Sequence, residues 1–132
     1  MKGFHDNIEK LTLTNTDFRK VLYTAAHMQL VLMSLPAGES IGEEVHEAND
    51  QFFRFEAGSG KCVIDDHEYE VSDGSAIIIP AGARHNVINT GAEDLKMYTI
   101  YAPPHHKDGI VRATKKEAEA NEEDFDGKTT ES

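Results

Sequence analysis

From Arg19 onward the chain advances in short apolar bursts, each stopped by Gly, Asn, Asp or Pro. They fall at Val21 to Tyr23, Met28 to Leu35, Gln51 to Phe55, Lys61 to Asp65, Tyr69 to Val71, Ser75 to Ile79, His85 to Ile88 and Leu95 to Tyr101. Segments this short, rich in Val, Ile, Phe and Tyr and set so close together, suit an antiparallel sandwich or barrel. They leave no room for the crossover helices of a parallel sheet. The fold class read from this pattern is all-β, with little helix before residue 113. Pro36-Ala37-Gly38 closes the second burst as a turn, and Asp66-His67 is the expected hairpin turn between the fourth and fifth.

The 132 residues are enough for one domain with a core of its own. Residues 1–18 read as an approach segment, 19–104 as the barrel and 105–132 as a polar tail. Residues 115–132 hold three lysines against seven acids and only Phe125 as an apolar anchor. Thr114-Lys115-Lys116-Glu117 has the spacing of a capping box, which predicts a short helix through Ala120. Beyond Asn121 the composition predicts a frayed, solvated end.

Charge narrows the partners. With 13 basic against 24 acidic residues the formal net charge is −11, which repels nucleic acid and anionic lipid. No apolar run approaches the length of a membrane span. The first residues, Met1-Lys2-Gly3-Phe4-His5-Asp6, meet an acid before any apolar stretch, and Cys62 is the single cysteine. A cytoplasmic protein acting on a small-molecule ligand is the expectation.

Within the barrel two stretches concentrate the chemistry. The first is Gly38-x5-Glu44-x-His46-x4-Gln51-x6-Gly58, the second Gly74-x5-Pro80-x-Gly82-x2-His85-x3-Asn89. Strand alternation points Glu44 and His46 to one face, and Gln51 shares its face with Phe53 and Phe55. Two imidazoles, a carboxylate and a carboxamide form a set able to hold a divalent metal. The plainer alternatives are a solvated Glu44 and a Gln51 that only hydrogen-bonds a strand edge. Phe52, Phe53 and Phe55 are expected in the core, and Arg54 on the outer face in a salt bridge. His105-His106, after two prolines, reads as a surface loop, and His5, His27 and His67 as incidental. Tyr98 and Tyr101 are the nearest candidates for polar groups at the cavity mouth.

These two stretches resemble the paired motifs of the cupin superfamily over residues 38 to 89. The second agrees at Gly74, Pro80, Gly82, His85 and Asn89, and the 15 residues between Gly58 and Gly74 match the compact microbial form. The resemblance implies a double-stranded β-helix, or jelly-roll, barrel with metal ligands facing inward. Most metal-binding cupins carry His-x-His and then Glu, where this chain has Glu44-Val45-His46 and then Gln51. One anionic ligand is lost at position 51 and one gained at position 44, so the charge offered to a divalent ion is unchanged. A similar ligand list occurs in the zinc site of type I phosphomannose isomerases, with Gln and Glu in exchanged positions.

The expected metal ligands are therefore Glu44, His46, Gln51 and His85, around Zn, Fe, Mn or Ni. The resemblance implies a small isomerase- or dioxygenase-like metalloenzyme acting on a polar molecule such as a sugar derivative, with Glu44 or a nearby tyrosine assisting proton transfer. The alternatives are a noncatalytic sensing module, or a metal-free barrel that binds carbohydrate. A sugar phosphate would need cationic anchors, and the motifs supply only Lys61 and Arg84. A homodimer is expected, with the apolar strand Met28 to Leu35 packed against a partner.

Overall fold

Each apolar burst becomes a strand, and the strands divide between two antiparallel sheets. The structure is a computed structural model that describes all residues, 1–132. The first sheet has the order β10 (Val111–Arg112), β1 (Arg19–Thr24), β2 (Gln29–Leu35), β9 (Leu95–Ala102), β4 (Asp50–Ala57), β7 (Ala76–Ile79). The second has the order β3 (Glu44–Val45), β8 (Arg84–Asn89), β5 (Ser59–Ile64), β6 (His67–Ser72). This is the all-β double-stranded β-helix, carrying a short C-terminal helix.

The core lies where the two inner faces meet. Alternation puts Val31, Met33 and Leu35 of β2, Phe53 and Phe55 of β4, and Leu95 and Met97 of β9 inside, all nearly or wholly buried. Cys62 of β5 and Val87 of β8 meet them from the other sheet, and burial of such side chains is the main force holding the sheets together. Arg54 lies on the outer face and pairs with Glu56 at 3.2 Å. Phe52 corrects the expectation that all three phenylalanines are core. It shares parity with Arg54, so it is only half-buried and packs on the outer face beside Tyr98.

Three elements escaped the pattern of bursts. Helix α1 (Ile8–Thr14) is capped by Asn7, whose Oδ1 accepts from Lys10 N at 3.0 Å. It packs on the outside of the six-stranded sheet against β9, β4 and β2, burying Thr12 completely. Strand β2 is therefore interior to its sheet, with β1 and β9 as neighbours, and the chain's own helix lies against it. The two-residue strands β3 and β10 are too short to leave a periodic signal.

The hairpin turn falls one residue earlier than expected, at Asp65-Asp66. There Asp65 takes φ 49° and Ile64 pairs with His67. Helix α2 (Lys115–Ala120) forms as the capping box predicts, with Thr114 Oγ1 accepting from Glu117 N and Glu117 Oε2 from Ala113 N. The end beyond Asn121 is not frayed. Lys107 N donates to Glu123 O, Phe125 N to His105 O, and Thr130 N to Thr24 O, while Glu131 bonds Tyr23. Composition missed this because the segment is held by backbone pairing and ion pairs rather than by apolar burial.

Candidate metal centre

Strands β3 and β8 pair antiparallel with Glu44 directly opposite His85, so the two side chains meet on the inner face. His46 follows two residues after Glu44, and its carbonyl accepts from Gly82 N at 3.0 Å. Gly82 can aim its N–H there because it sits at φ 89°, a conformation that side chains resist. One turn glycine thus ties the two motifs together. The donor atoms of Glu44, His46 and His85 all lie within 4.8 Å of one another.

Protonation follows from the contacts. His85 Nδ1 lies 3.1 Å from Ala83 O, a carbonyl that can only accept, so Nδ1 carries the proton. Burial lowers the His85 pKa, which keeps the ring neutral and leaves a lone pair on Nε2. That Nε2 is buried and has no hydrogen-bond partner. Burial would raise the Glu44 pKa, but the hydrogen bond from His46 and the charges of His46, Arg19 and His85 outweigh it and leave it lowered. Glu44 Oε2 stands 3.0 Å from His46 Nε2 and 3.9 Å from His85 Nε2. An anionic oxygen and a neutral lone pair, facing each other with nothing to share, form a pair that a cation would satisfy.

Gln51 reaches the interior from the facing sheet, buried in register with Tyr101. Its Nε2 donates to Thr99 Oγ1 at 3.0 Å, and its Oε1 is buried without a partner. The structure therefore gathers Glu44, His46 and His85 at one point. It sets Gln51 on the inward row of the other sheet with an oxygen unspent. The chemistry of the set, two imidazoles with carboxylate and amide oxygens, fits a borderline divalent ion.

Sequence reasoning missed the second half of the site. Inward parity on β9 selects Tyr101 over Tyr98, and the chain then passes a cis Ala102–Pro103 peptide to His105 and His106. The His105 ring lies 4.4 Å from that of His46 and 5.2 Å from that of Tyr101. His106 is buried, and its Nε2 lies 3.3 Å from the Tyr101 hydroxyl. Burial lowers the pKa of both histidines and raises that of Tyr101. The buried carboxamide of Gln29 fixes this segment. Its Oε1 accepts from His105 N and His106 N, and its Nε2 donates to His106 O and Thr24 Oγ1. The two prolines ahead of a histidine pair were the signal, since they stop β9 at the barrel's mouth.

A pocket of about 300 Å³ opens over these residues. Arg19, Glu44, His46, His105 and His106 line it together with Glu122 to Asp124 of the C-terminal segment.

The sequence profile described as the Cupin domain matches residues 31–101. Uncharacterized protein YrkC of Bacillus subtilis is 48% identical over 128 residues, covering 92% of this chain and 69% of that protein. The crystal structure of BH2720 from Bacillus halodurans superposes with a TM-score of 0.89 at 46% identity, covering 91% of this chain and 96% of that one. KdgF from Halomonas sp. superposes with a TM-score of 0.61 at 19% identity, covering 64% of this chain and 76% of that one. At that identity the likeness is one of fold alone.

Proposed function

This chain belongs to the cupin family, and from that premise we propose that it is a small metal-dependent enzyme acting on a polar small molecule. Glu44, His46 and His85 would hold a divalent ion, with Gln51 supplying a fourth donor from the opposite sheet. The observation that carries this reading is the pair of buried, unpartnered acceptors, His85 Nε2 and Gln51 Oε1. Each costs on the order of 1–3 kcal/mol while unmet, and an ion would satisfy them.

When bound, the ion would polarise a carbonyl or activate oxygen, as isomerase- or dioxygenase-like chemistry requires. The chain's own groups would do the rest. Ala83 O holds His85 in the tautomer that presents Nε2. The Glu44 carboxylate, 30% exposed at the pocket wall, is the group placed to take a proton from a ligand and pass it on. Tyr101, kept protonated by burial, would act as a hydrogen-bond donor beside His46.

Metal analysis of the purified protein tests the reading. One equivalent of a transition metal is expected, lost in His85→Ala and in Glu44→Gln. Turnover of the reconstituted protein on a panel of aldoses, keto acids and diketones then separates an enzyme from a binding module. Metal uptake unchanged by both substitutions would remove the centre from this site.

A further inference from the structure

Two arginines stand side by side at the mouth of the barrel, and only one of them is neutralised. Arg19 of β1 pairs across the strand with Arg112 of β10. Like charges in that relation repel unless each finds a partner. Arg112 donates to Glu123 at 2.9 Å and twice to Asn121 O. Arg19 makes no side-chain hydrogen bond and no ion pair, in a chain with 24 acids against 13 bases. Its Nε is shut off from solvent without an acceptor.

Its position explains where an acceptor would come from. Arg19 shares the inward parity of Val21, pairs with Met33, and lines the same pocket as His46 and Glu44. The guanidinium also lies 5.3 Å from the Phe18 ring, against which its flat face packs. None of the pocket's acids pairs directly with it: Glu123 is engaged by Arg112 and Lys107, and Glu44, which feels the Arg19 charge, bonds His46.

We propose that Arg19 is an anion-binding residue of the pocket, and that the ligand reaching the metal centre carries a carboxylate. A guanidinium fork matches a carboxylate with two parallel hydrogen bonds. The ligand's far oxygen would then lie toward Glu44 and His46, the two donors that line the same pocket, an arrangement a 2-oxo or 2-hydroxy acid could use. A phosphate dianion suits the pocket less well than a singly charged carboxylate, since Glu122 and Asp124 line it with Arg19. The proposal deepens the metal-centre reading for the ligand's far oxygen only, since the Arg19 contact does not depend on an ion.

The test is calorimetric titration of the zinc-loaded protein with pyruvate, with methyl pyruvate as its uncharged ester, and with inorganic phosphate. Pyruvate is expected to bind at least about tenfold more tightly than its ester, the usual worth of a charge-assisted hydrogen bond. Arg19→Gln should erase that preference while zinc content stays at the wild-type level. Arg19→Lys should keep part of it, with thermal unfolding of both variants reporting the fold. An undiminished preference in Arg19→Gln, or no preference in the wild type, overturns the proposal, and tighter binding of phosphate overturns the carboxylate class. The same titrations on protein stripped by chelator separate the two readings. If the wild type never takes up metal yet still prefers pyruvate through Arg19, the metal centre fails and the anion site stands.

Discussion

Replacing His85 by leucine should leave the metal-free protein as stable as the wild type, or more so, while abolishing stabilisation by metal. In the ion-free state His85 Nε2 is a buried acceptor without a donor, 3.9 Å from a carboxylate oxygen. An unmet buried group of this kind costs about 1–3 kcal/mol. Leucine removes that cost and keeps an apolar side chain beside Ile64, its cross-strand partner, in the inward row of Val87. Against this stands one lost hydrogen bond, Nδ1 to Ala83 O, worth about 1 kcal/mol net. The balance lies between zero and about 2 kcal/mol in favour of the variant, opposite in sign to an ordinary core substitution. With zinc at a hundred times its dissociation constant the wild type should gain about 2.7 kcal/mol, near 10 °C in melting temperature for a domain of this size. Thermal unfolding with chelator and with zinc measures both quantities. A variant that melts more than about 10 °C below the wild type in chelator, or still rises with zinc, would refute the reasoning.

Other outcomes follow from the same geometry. Gln29→Leu leaves His105 N, His106 N and His106 O without partners, and at about 1 kcal/mol or more each the loss should reach about 3 kcal/mol in urea unfolding. A loss below about 1 kcal/mol would mean the segment is not held by that carboxamide. His85 and His106 are buried with lowered pKa values, so they stay neutral in the fold while the unfolded chain takes up protons below about pH 6.5. Their stabilisation is present above that pH and is lost on acidification. His105 is lowered in the same direction, so the metal-free protein should lose stability below pH 6.5 with a slope of at most about 4 kcal/mol per unit for three protons. A flat profile from pH 7 to 5 would contradict it. Cys62 is fully buried, and burial pushes its thiol up to about 11, so a thiol reagent near neutral pH should label it only after unfolding.

What could be read from the sequence divides by physical cause. Bursts long enough to show alternation became strands, and the two glycine-punctuated motifs put Glu44, His46 and His85 at one point. Both signals are local, because a strand's parity and a turn's glycine are written within a few residues. The missed features depend on distant parts of the chain. Arg19 matters because β1 begins beside the pocket, and His105 matters because Gln29, 76 residues earlier, holds its amide. The C-terminal segment looked unable to order itself, and by apolar content it is. It orders by pairing with residues 105 to 107, a surface that exists only once the barrel has formed. Phe52 was misjudged for the opposite reason, since hydrophobicity was weighed ahead of parity.

Strand β3 contributes only Glu44 and Val45, at the edge of its sheet, and its ladder has just two residue pairs, both with β8. Two of the four candidate donors thus ride on a stretch held from one side only, by β8 and the Gly82 turn, while His85 sits on a strand hydrogen-bonded on both sides. Affinity for an ion at the proposed centre would in consequence be adjustable from outside its ligands. A residue that stiffens or loosens the stretch between Pro36 and Asn49 would retune the centre while every ligand stayed in place. Evolution could therefore have drawn tight and weak binders from one barrel by rewriting a single connection.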